Sequence, residues 1–336
     1  MNKGLMVIDA SNWGFCASSK KQLTVGDQDT QGVYYFLNML RSAVSMFPVL
    51  TPVMVNDGRS WRYDFYPDYK ASRDKEAVTK NEIEQKRVRL SYRSQKPLIN
   101  KACELLGVRQ MFSLNLEADD LAAILVKRYE GTDKRILLMS GDKDWIQLVR
   151  PYVTWMDVIN DRRVGSATLA VKNKHTESIG LGYDDKKTGE WISVKNGQQW
   201  LECKALMGDK SDEIGGVGGI GDVGGIALLH KFGSVGNFLN QYADGTIDAA
   251  KVPKKLRDFA DFNEKQEIFR RNMILMDLIS TSFPKARGLK VVAGNFDLEG
   301  FTDFCHEWSF QSFLTSIEDW TAPFAAQAHN KEKEAA

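Results

Sequence analysis

The sequence predicts an α/β fold in which a central, mainly parallel sheet is flanked by helices. Short apolar runs that end in acidic or small polar residues alternate with stretches of helical periodicity. This alternation is typical of buried parallel strands joined by crossover helices. The chain has 336 residues, 43% of them hydrophobic, so it can bury one large core or two closely joined ones.

The first half of the chain supplies the strands of this sheet. Apolar runs that end in polar residues predict strands at residues 5–8, 53–55, 136–139 and 153–156. Helical periodicity between the runs predicts helices over about 32–47, 95–106 and 118–129. Because parallel strands present their carboxyl ends at one edge of the sheet, we expect the ligand site there.

The second half of the chain predicts a helical module. Residues 160–199 suit an irregular or hairpin connection, and residues 200–277 have a helical pattern that a glycine cluster at 215–225 interrupts. We expect a catalytic domain over residues 1–190, the helical module over 191–290, and a segment over 291–321 that packs on the core. Residues 322–336 are polar and alanine-rich, and we expect them to be disordered.

A basic segment with interleaved aromatic residues covers positions 61–101. The net charge of the chain is only +1, so this local segment, and not the overall charge, indicates a nucleic-acid partner. Aromatic faces stack on unpaired bases and cations follow phosphates, whatever the base sequence. For the single residues Lys86, Arg87 and Arg89, an ordinary solvated helix of mixed charge is an equally good explanation.

Acidic residues occur at predicted strand ends and helix starts, where the topology brings them together. They are Asp9, Asp57, Glu117, Asp119, Asp120, Asp142, Asp144, Asp209 and Asp212. Taken singly, such an acid is more often a turn or helix-cap residue than a ligand. As a set, oxygen ligands of this number suit two Mg²⁺ or Mn²⁺ ions, which at about 3.5–4 Å apart catalyse phosphodiester hydrolysis.

Eight short motifs follow one another along the chain. They are Val7-Ile-Asp9, Asn56-Asp-Gly58, Tyr66-Pro-Asp-Tyr-Lys-Ala-Ser-Arg73, Glu117-Ala-Asp-Asp-Leu121, Ser140-Gly-Asp-Lys-Asp144, Leu206-Met-Gly-Asp-Lys-Ser-Asp212, Gly216-Val-Gly-Gly-Ile-Gly221 and Asn272-Met-Ile-Leu-Met-Asp277. In this order they resemble the 5′ nuclease, or flap endonuclease, superfamily, most closely its bacteriophage 5′→3′ exonuclease (RNase H) branch. The resemblance extends from about residue 5 to residue 278.

The resemblance implies roles for particular residues. Asp9, Asp57, Glu117 and Asp119, with help from Asp120, would hold the first ion, and Asp142, Asp144, Asp209 and Asp212 the second, partly through water. Tyr69, Lys70 and Arg73 would serve catalysis at the base of a helical arch, positions 61–101, beneath which a free 5′ strand passes.

The glycine cluster would form the hairpin of a helix–hairpin–helix (H3TH-type) module that holds duplex DNA by its backbone. Gly216, Gly218, Gly219 and Gly221, together with Lys204, are the implied nucleic-acid contacts, and K⁺ would bind at the hairpin carbonyls. The family often has proline where Gly218 stands and lysine near Val223. Because Asp222 and Val223 offer no cation, either the grip on the duplex is weaker or Lys210 and Lys231 compensate.

The resemblance implies a 5′→3′ exonuclease and 5′-flap endonuclease that acts on branched or nicked DNA or RNA–DNA hybrid, as in primer or flap removal during replication. Two other functions stay open: a PIN-like single-strand ribonuclease and a non-catalytic branched-DNA-binding protein. Expected partners are replication proteins such as a polymerase, a clamp and a single-strand-binding protein. We expect a cytoplasmic monomer with no membrane association, because no signal peptide or spanning segment is apparent and the four cysteines are widely separated.

Overall fold

The computed structural model describes residues 4–74 and 76–335, with the side chains of residue 74 and of residues 330–335 left undescribed. The strands in these ranges are β1 (Gly4–Asp9), β2 (Thr24–Val25), β3 (Gln28–Asp29), β4 (Leu50–Val55), β5 (Arg109–Phe112), β6 (Arg135–Met139), β7 (Val153–Asp157), β8 (Arg162–Gly165), β9 (Gly182–Asp184), β10 (Trp191–Ser193), β11 (Gly208–Asp209), β12 (Ile214–Gly215) and β13 (Lys290–Val292).

The helices of the described residues surround this sheet and build the second module. They are α1 (Ala10–Ser18), α2 (Gln31–Met46), α3 (Arg62–Phe65), α4 (Lys80–Leu105), α5 (Ala118–Arg128), α6 (Lys174–Ile179), α7 (Gly197–Met207), α8 (Asp222–Phe232), α9 (Val235–Ala243), α10 (Lys254–Asp261), α11 (Asn263–Met276), α12 (Leu298–Glu307), α13 (Gln311–Leu314) and α14 (Ile317–Ala335). Short 3₁₀ turns cover Ala71–Asp74, Lys143–Leu148 and Ala249–Lys251.

The main sheet has seven strands in the order β13-β5-β4-β1-β6-β7-β8. Strands β5, β4, β1, β6 and β7 pair in parallel, and antiparallel β13 and β8 close the two edges. The predicted mainly parallel sheet is therefore confirmed. The sequence did not indicate β5 or β13, because both are short and each contains only two consecutive apolar residues, after Arg109-Gln110 in β5 and after Lys290 in β13.

Two apolar layers cover the two faces of the sheet. Alternate side chains of β1 enter different layers: Leu5 and Val7 pack with α5, α7 and α8, whereas Met6 and Ile8 pack with α1, α2, α4 and the C-terminal helices. Such alternation is the consequence of side chains pointing to opposite faces along a strand. Covering both faces leaves the strand ends as the place where polar groups can reach a ligand.

Helix α4 is much longer than the predicted helix at 95–106. It begins at a capping box, in which Thr79 and Glu82 bond each other's backbone N–H groups, and it runs for 26 residues. Its first two turns are largely exposed, and its later turns bury Tyr92, Gln95 and Ile99 against α1 and α2. Helix α4 is thus exposed in its first turns and part of the core in its later turns.

The expected disorder from residue 322 is wrong for the residues whose side chains are described. Helix α14 continues through this region, and Phe324 is 1% exposed. Trp320 stacks with Phe324 and with Phe301, and it also contacts the ring of Phe313. Gln327 donates hydrogen bonds to the carbonyls of Pro48 and Leu50 at the start of β4. A polar and alanine-rich composition hid an amphipathic helix. Residue 336 lies outside the described residues. Among the described helices, none combines the length and apolar character needed to span a bilayer.

Candidate active site

Asp9 stands at the end of β1, in register with Val55 at the end of β4. Its carboxylate accepts hydrogen bonds from the Asn12 backbone N–H at 2.9 Å and from the Ser140 hydroxyl at 2.7 Å. Burial, and next the charge of Asp57, raises the pKa of Asp9 to about 6. The negative charge of Asp9 is therefore disfavoured in this position.

Asp57 follows β4, and Asp119 lies in the first turn of α5. Asp57 accepts a hydrogen bond at 2.7 Å from the backbone N–H of Ala118, which ties the end of β4 to the first turn of α5. Asp119 accepts one at 2.6 Å from the indole N–H of Trp145. Burial, followed by the charge of Asp142, raises the pKa of Asp119 well above its usual value.

Glu117 is the most heavily bonded acid at this edge. Its Oε2 accepts hydrogen bonds from Ser60 at 2.8 Å, Arg62 at 3.1 Å and Tyr69 at 2.8 Å, and its Oε1 accepts one from Lys70 at 2.6 Å. Burial alone would raise its pKa, but the Lys70 and Arg62 cations lower it to about 2. Glu117 is therefore ionised, and the predicted catalytic residues Tyr69 and Lys70 both donate hydrogen bonds to it.

Asp120 bonds the buried guanidinium of Arg62. Both of its oxygens accept hydrogen bonds from Arg62, at 2.9 and 3.1 Å. One of them also accepts the Glu117 backbone N–H at 3.0 Å, which completes a capping box at the start of α5. Asp120 thus anchors Arg62 beside Glu117, and its help in holding the first ion stays a prediction.

The loop after β6 carries Asp142 and Asp144. Ser140 joins it to Asp9, because its hydroxyl donates to Asp9 and accepts the Asp142 backbone N–H at 3.0 Å. The Asp142 side chain reaches solvent, yet the protein packed around it and the charge of Asp144 raise its pKa to about 8. Asp144 continues the loop and points its carboxylate toward Lys204, 3.0 Å away.

Asp209 and Asp212 come from the turn between β11 and β12, after α7. Asp209 accepts hydrogen bonds from the Ser211 backbone and hydroxyl at 2.7 and 2.6 Å. Burial opposes its ionisation, but the Lys204 ammonium 2.6 Å away lowers its pKa to about 2. Asp212 lies near Tyr69 and Lys70, and Arg73 reaches it at 3.3 Å. The helical module thus contributes two acids to the edge of the sheet.

Two lysine ammonium groups bridge the acids in pairs. Lys70 Nζ lies 2.6 Å from Glu117 and 3.5 Å from Asp212, and its side chain is only 8% exposed. Lys204 Nζ lies 3.0 Å from Asp144 and 2.6 Å from Asp209. Each lysine joins one acid of the sheet domain to one acid of the helical module, as a shared cation would.

Cations of the basic segment extend from these acids along α4. Burial, and then the charges of Arg73 and Arg93, lowers the pKa of Arg89, so these three cations lie together. Lys96 Nζ lies 3.4 Å from the backbone carbonyl of Asp57. Arg89, Arg93 and Lys96 have the four- and three-residue spacing of one helix face.

The predicted contacts Lys86 and Arg87 lie on the outer part of α4. Lys86 is exposed, and Arg87 forms two hydrogen bonds with Glu84 one turn earlier. Of the three α4 residues selected from the sequence, the structure brings Arg89 to the cations around Arg73. For Lys86 and Arg87, contact with nucleic acid stays a prediction.

The glycine hairpin connects β12 to α8. Gly218 and Gly219 have φ angles of 84° and 81°, a conformation that favours glycine. A Cβ on Gly216 would meet the Met207 carbonyl at 2.1 Å, whereas Gly221 has open space around it. The side chain of Lys255, on α10, lies against Gly219. Lys255 therefore supplies a cation at the hairpin that the sequence suggested only through Lys210 or Lys231.

Comparisons with known families identify this arrangement. Residues 4–176 match the family described as 5′-3′ exonuclease, N-terminal resolvase-like domain, and residues 195–274 match 5′-3′ exonuclease, C-terminal SAM fold. The first match alone covers more than half of the 336-residue chain.

The chain belongs to the 5′–3′ exonuclease family.

Relatives of this exonuclease include phage and bacterial proteins. It is 27% identical over 285 residues to DNA polymerase I of Lactococcus lactis subsp. cremoris, covering 82% of this chain and 29% of the polymerase. It is 26% identical over 283 residues to the flap endonuclease of Escherichia phage T5, covering 82% of this chain and 84% of that protein. The chain spans about a third of the length of the polymerases that it matches.

Solved structures share the fold of the exonuclease. The T5 5′-exonuclease with bound zinc ions aligns with a TM-score of 0.62 and 21% identity, covering 97% of this chain and 99% of that one. The T5 flap endonuclease in complex with DNA and metal ions aligns with a TM-score of 0.60. The α/β fold and the nuclease class predicted from the sequence are confirmed.

The acidic edge of the exonuclease fits divalent ions with oxygen ligands. Burial, and after it the charge of a neighbouring acid, raises the pKa values of Asp9, Asp119 and Asp142, and a bound cation would oppose both effects. Among the side chains that the structure describes, no three acid, histidine or cysteine groups already have the spacing of a filled metal site. In this structure, the ammonium groups of Lys70 and Lys204 lie between the acids and show where positive charge is stabilised.

Sequence reasoning missed Arg62 and Lys96 as members of the site. Arg62 joins Glu117, Asp120 and the Leu275 carbonyl, and a single arginine among aromatic residues carried no signal of this. Lys96 could have been found, because extending the predicted helix toward residue 80 places it on one face with Arg89 and Arg93.

Proposed function

We propose that the protein is a metal-dependent 5′→3′ exonuclease and 5′-flap endonuclease that hydrolyses phosphodiesters near the 5′ end of branched or nicked DNA or RNA–DNA hybrid. One observation carries the proposal: Lys70 joins Glu117, at the start of α5, to Asp212, and Lys204 joins Asp144, after β6, to Asp209, so acids of the sheet domain meet acids of the helical module. Membership of the 5′–3′ exonuclease family supports the same reaction class.

Asp9, Asp57, Glu117 and Asp119 would hold a first Mg²⁺ or Mn²⁺ ion. Asp142, Asp144, Asp209 and Asp212 would hold a second, directly or through water. When bound, two such ions supply an activated water and stabilise the leaving oxygen. The protein's own contribution is to orient these carboxylates from both modules, through the Ser140 link to Asp9 and the Trp145 bond to Asp119.

Lys70 would stabilise negative charge on the scissile phosphate, since it is buried beside the acids and remains fully charged. Burial disfavours the Lys70 ammonium, but Glu117 and Asp212 outweigh this effect and raise its pKa. Arg73 and Tyr69 flank Lys70 on Asp212, so substrate phosphate would meet a preformed set of donors.

The substrate would be held at two further places. The cations of α4 would follow the 5′ strand, with aromatic side chains available to stack unpaired bases. The glycine hairpin, with Lys255 beside it, would contact one backbone of the duplex without reading its sequence. K⁺ at the hairpin, replication-protein partners, a monomeric state and a cytoplasmic location remain predictions.

The deciding experiment is cleavage of a labelled 5′-flap duplex with the product lengths mapped. We expect cleavage near the 5′ end in Mg²⁺ or Mn²⁺, binding without cleavage in Ca²⁺, and no cleavage in EDTA. Cleavage of free single-stranded RNA alone would favour the PIN-like ribonuclease, and flap binding without cleavage in any metal would favour a binding protein. Full activity in EDTA would contradict the metal-dependent mechanism.

A further inference from the structure

The loop 140–144, which carries two of the proposed ligands, is held by tryptophan side chains. The indole N–H of Trp155, on β7, donates to the Asp142 carbonyl at 3.0 Å, and that of Trp200, on α7, donates to the Lys143 carbonyl at 2.8 Å. Two consecutive carbonyls of the loop are thus fixed by two different elements. Both tryptophans are buried, with exposed fractions of 0% and 4%.

A third indole extends the same arrangement. Trp145 follows the loop directly, is 0% exposed, and donates its N–H to Asp119 Oδ1 at 2.6 Å. Buried indoles need an acceptor, because an unpaired buried N–H costs about 1–3 kcal/mol. Any backbone carbonyl would meet this need. Here all three indole N–H groups donate to acceptors at the acidic edge. Two of the acceptors are backbone carbonyls of the loop 140–144, and the third is the Asp119 carboxylate.

Trp200 is the most informative of the three, because it comes from the helical module. Lys204 lies four residues later on the same face of α7 and contacts Asp144 at 3.0 Å. A Cβ on Gly197, at the start of α7, would lie 2.0 Å from the Gln147 carbonyl, so glycine there permits the close approach of α7 to this region. One face of α7 therefore grips both the backbone and a side chain of the segment 143–144.

We propose that Trp200 and Trp155 are positioning residues that hold Asp142 and Asp144 in the geometry required for divalent ions. The inference rests on the proposed metal-dependent function. The loss of a group that hydrogen-bonds and orients a metal ligand typically weakens metal affinity 10- to 100-fold. Because Trp200 belongs to the helical module, the position of that module also affects the geometry of the loop 140–144.

The test compares Trp200→Phe with Trp320→Phe. Phenylalanine keeps most of the aromatic bulk and removes the indole N–H. Trp320 is a matched control, since it is buried and its indole N–H has no hydrogen-bond partner in the described part of the chain. We would measure Ca²⁺ affinity by calorimetry without DNA, and the Mg²⁺ concentration that gives half of the maximal single-turnover rate on a 5′-flap duplex.

We expect Trp200→Phe to weaken Ca²⁺ binding and to raise the half-maximal Mg²⁺ concentration, each about 10-fold, with the rate recovering at high Mg²⁺. Trp320→Phe should match wild type in both. Equal metal affinities in the two variants would overturn the inference while leaving the proposed function intact. A wild-type protein without metal-dependent cleavage would overturn both. If Trp200→Phe does not fold, Trp155→Phe decides by the same criteria.

Discussion

The acidic edge of the sheet and the glycine hairpin are built to meet phosphate in opposite ways. At the edge, the polar groups belong to side chains: Glu117 accepts four hydrogen bonds, and lysines bridge the neighbouring acids. At the hairpin, the backbone is accessible: Gly218 and Gly219 have positive φ angles, and Gly221 has open space around it. We therefore predict that charge at the edge controls the rate, whereas backbone shape at the hairpin controls affinity.

The largest effect should come from Asp142. In Asp142→Asn, the loss of a charged ligand should lower the single-turnover rate on the order of 10³-fold, as expected for a group that acts directly on the reacting charge. The affinity for the flap duplex in Ca²⁺ should change little. Asp303→Asn, on the exposed surface of α12, is the control. A near wild-type rate in Asp142→Asn would place Asp142 outside the chemistry.

Lys70 should come next. Lys70→Ala should lower the single-turnover rate about 10²-fold and leave the dissociation constant nearly unchanged, because its charge acts on the transition state. The same change frees Glu117 and Asp212 from their shared cation, so Ca²⁺ binding without DNA should become tighter. Calorimetry and quench-flow kinetics measure the two effects. A loss of affinity with an unchanged rate would assign Lys70 to binding.

The hairpin should show the reverse separation. Gly219→Ala forces a side chain into a positive φ conformation and against Lys255, and we expect flap-duplex affinity to fall about 10-fold with the saturated rate nearly unchanged. Gly236→Ala, in α9 and outside the hairpin, is the matched control, because its φ is not positive and a Cβ there would meet only Ser234 Oγ, at 3.9 Å. Fluorescence anisotropy with two unrelated duplex sequences tests whether the loss is independent of sequence.

The smallest effect concerns the stability of the metal-free protein. The pKa of Asp9 is raised to about 6 in the folded state from an ordinary value near 3.8. The folded state therefore binds more protons than the unfolded state between these values, and stability falls as pH rises through that window. Asp9→Asn should remove part of this decline. Thermal melts in EDTA at pH 4 to 7 measure it, and identical slopes for both proteins would contradict the assignment.

The sequence located the acids at strand ends because the last parts of β1, β4 and β6 contain apolar runs, at residues 5–8, 53–55 and 136–139, that are followed directly by polar residues. It did not reveal that Arg62 bonds Asp120, since only the fold brings this guanidinium against the carboxylate. It also failed for α14, where burial depends on aromatic residues that pack against a helix some 280 positions earlier. Contacts of long sequence separation leave no local pattern to read.

The path of the chain through the sheet has a consequence for dissection of the molecule. Strand β13 follows the helical module yet pairs with β5, and α12–α14 cover the face formed by α2 and α4. A fragment that ends near residue 176, where the first family match ends, would lack these covers. It would expose the edge of β5 and a broad apolar surface, and we expect such a fragment to aggregate. The catalytic half is therefore completed by the last part of the chain, and the helical module is tethered to the sheet at both of its ends.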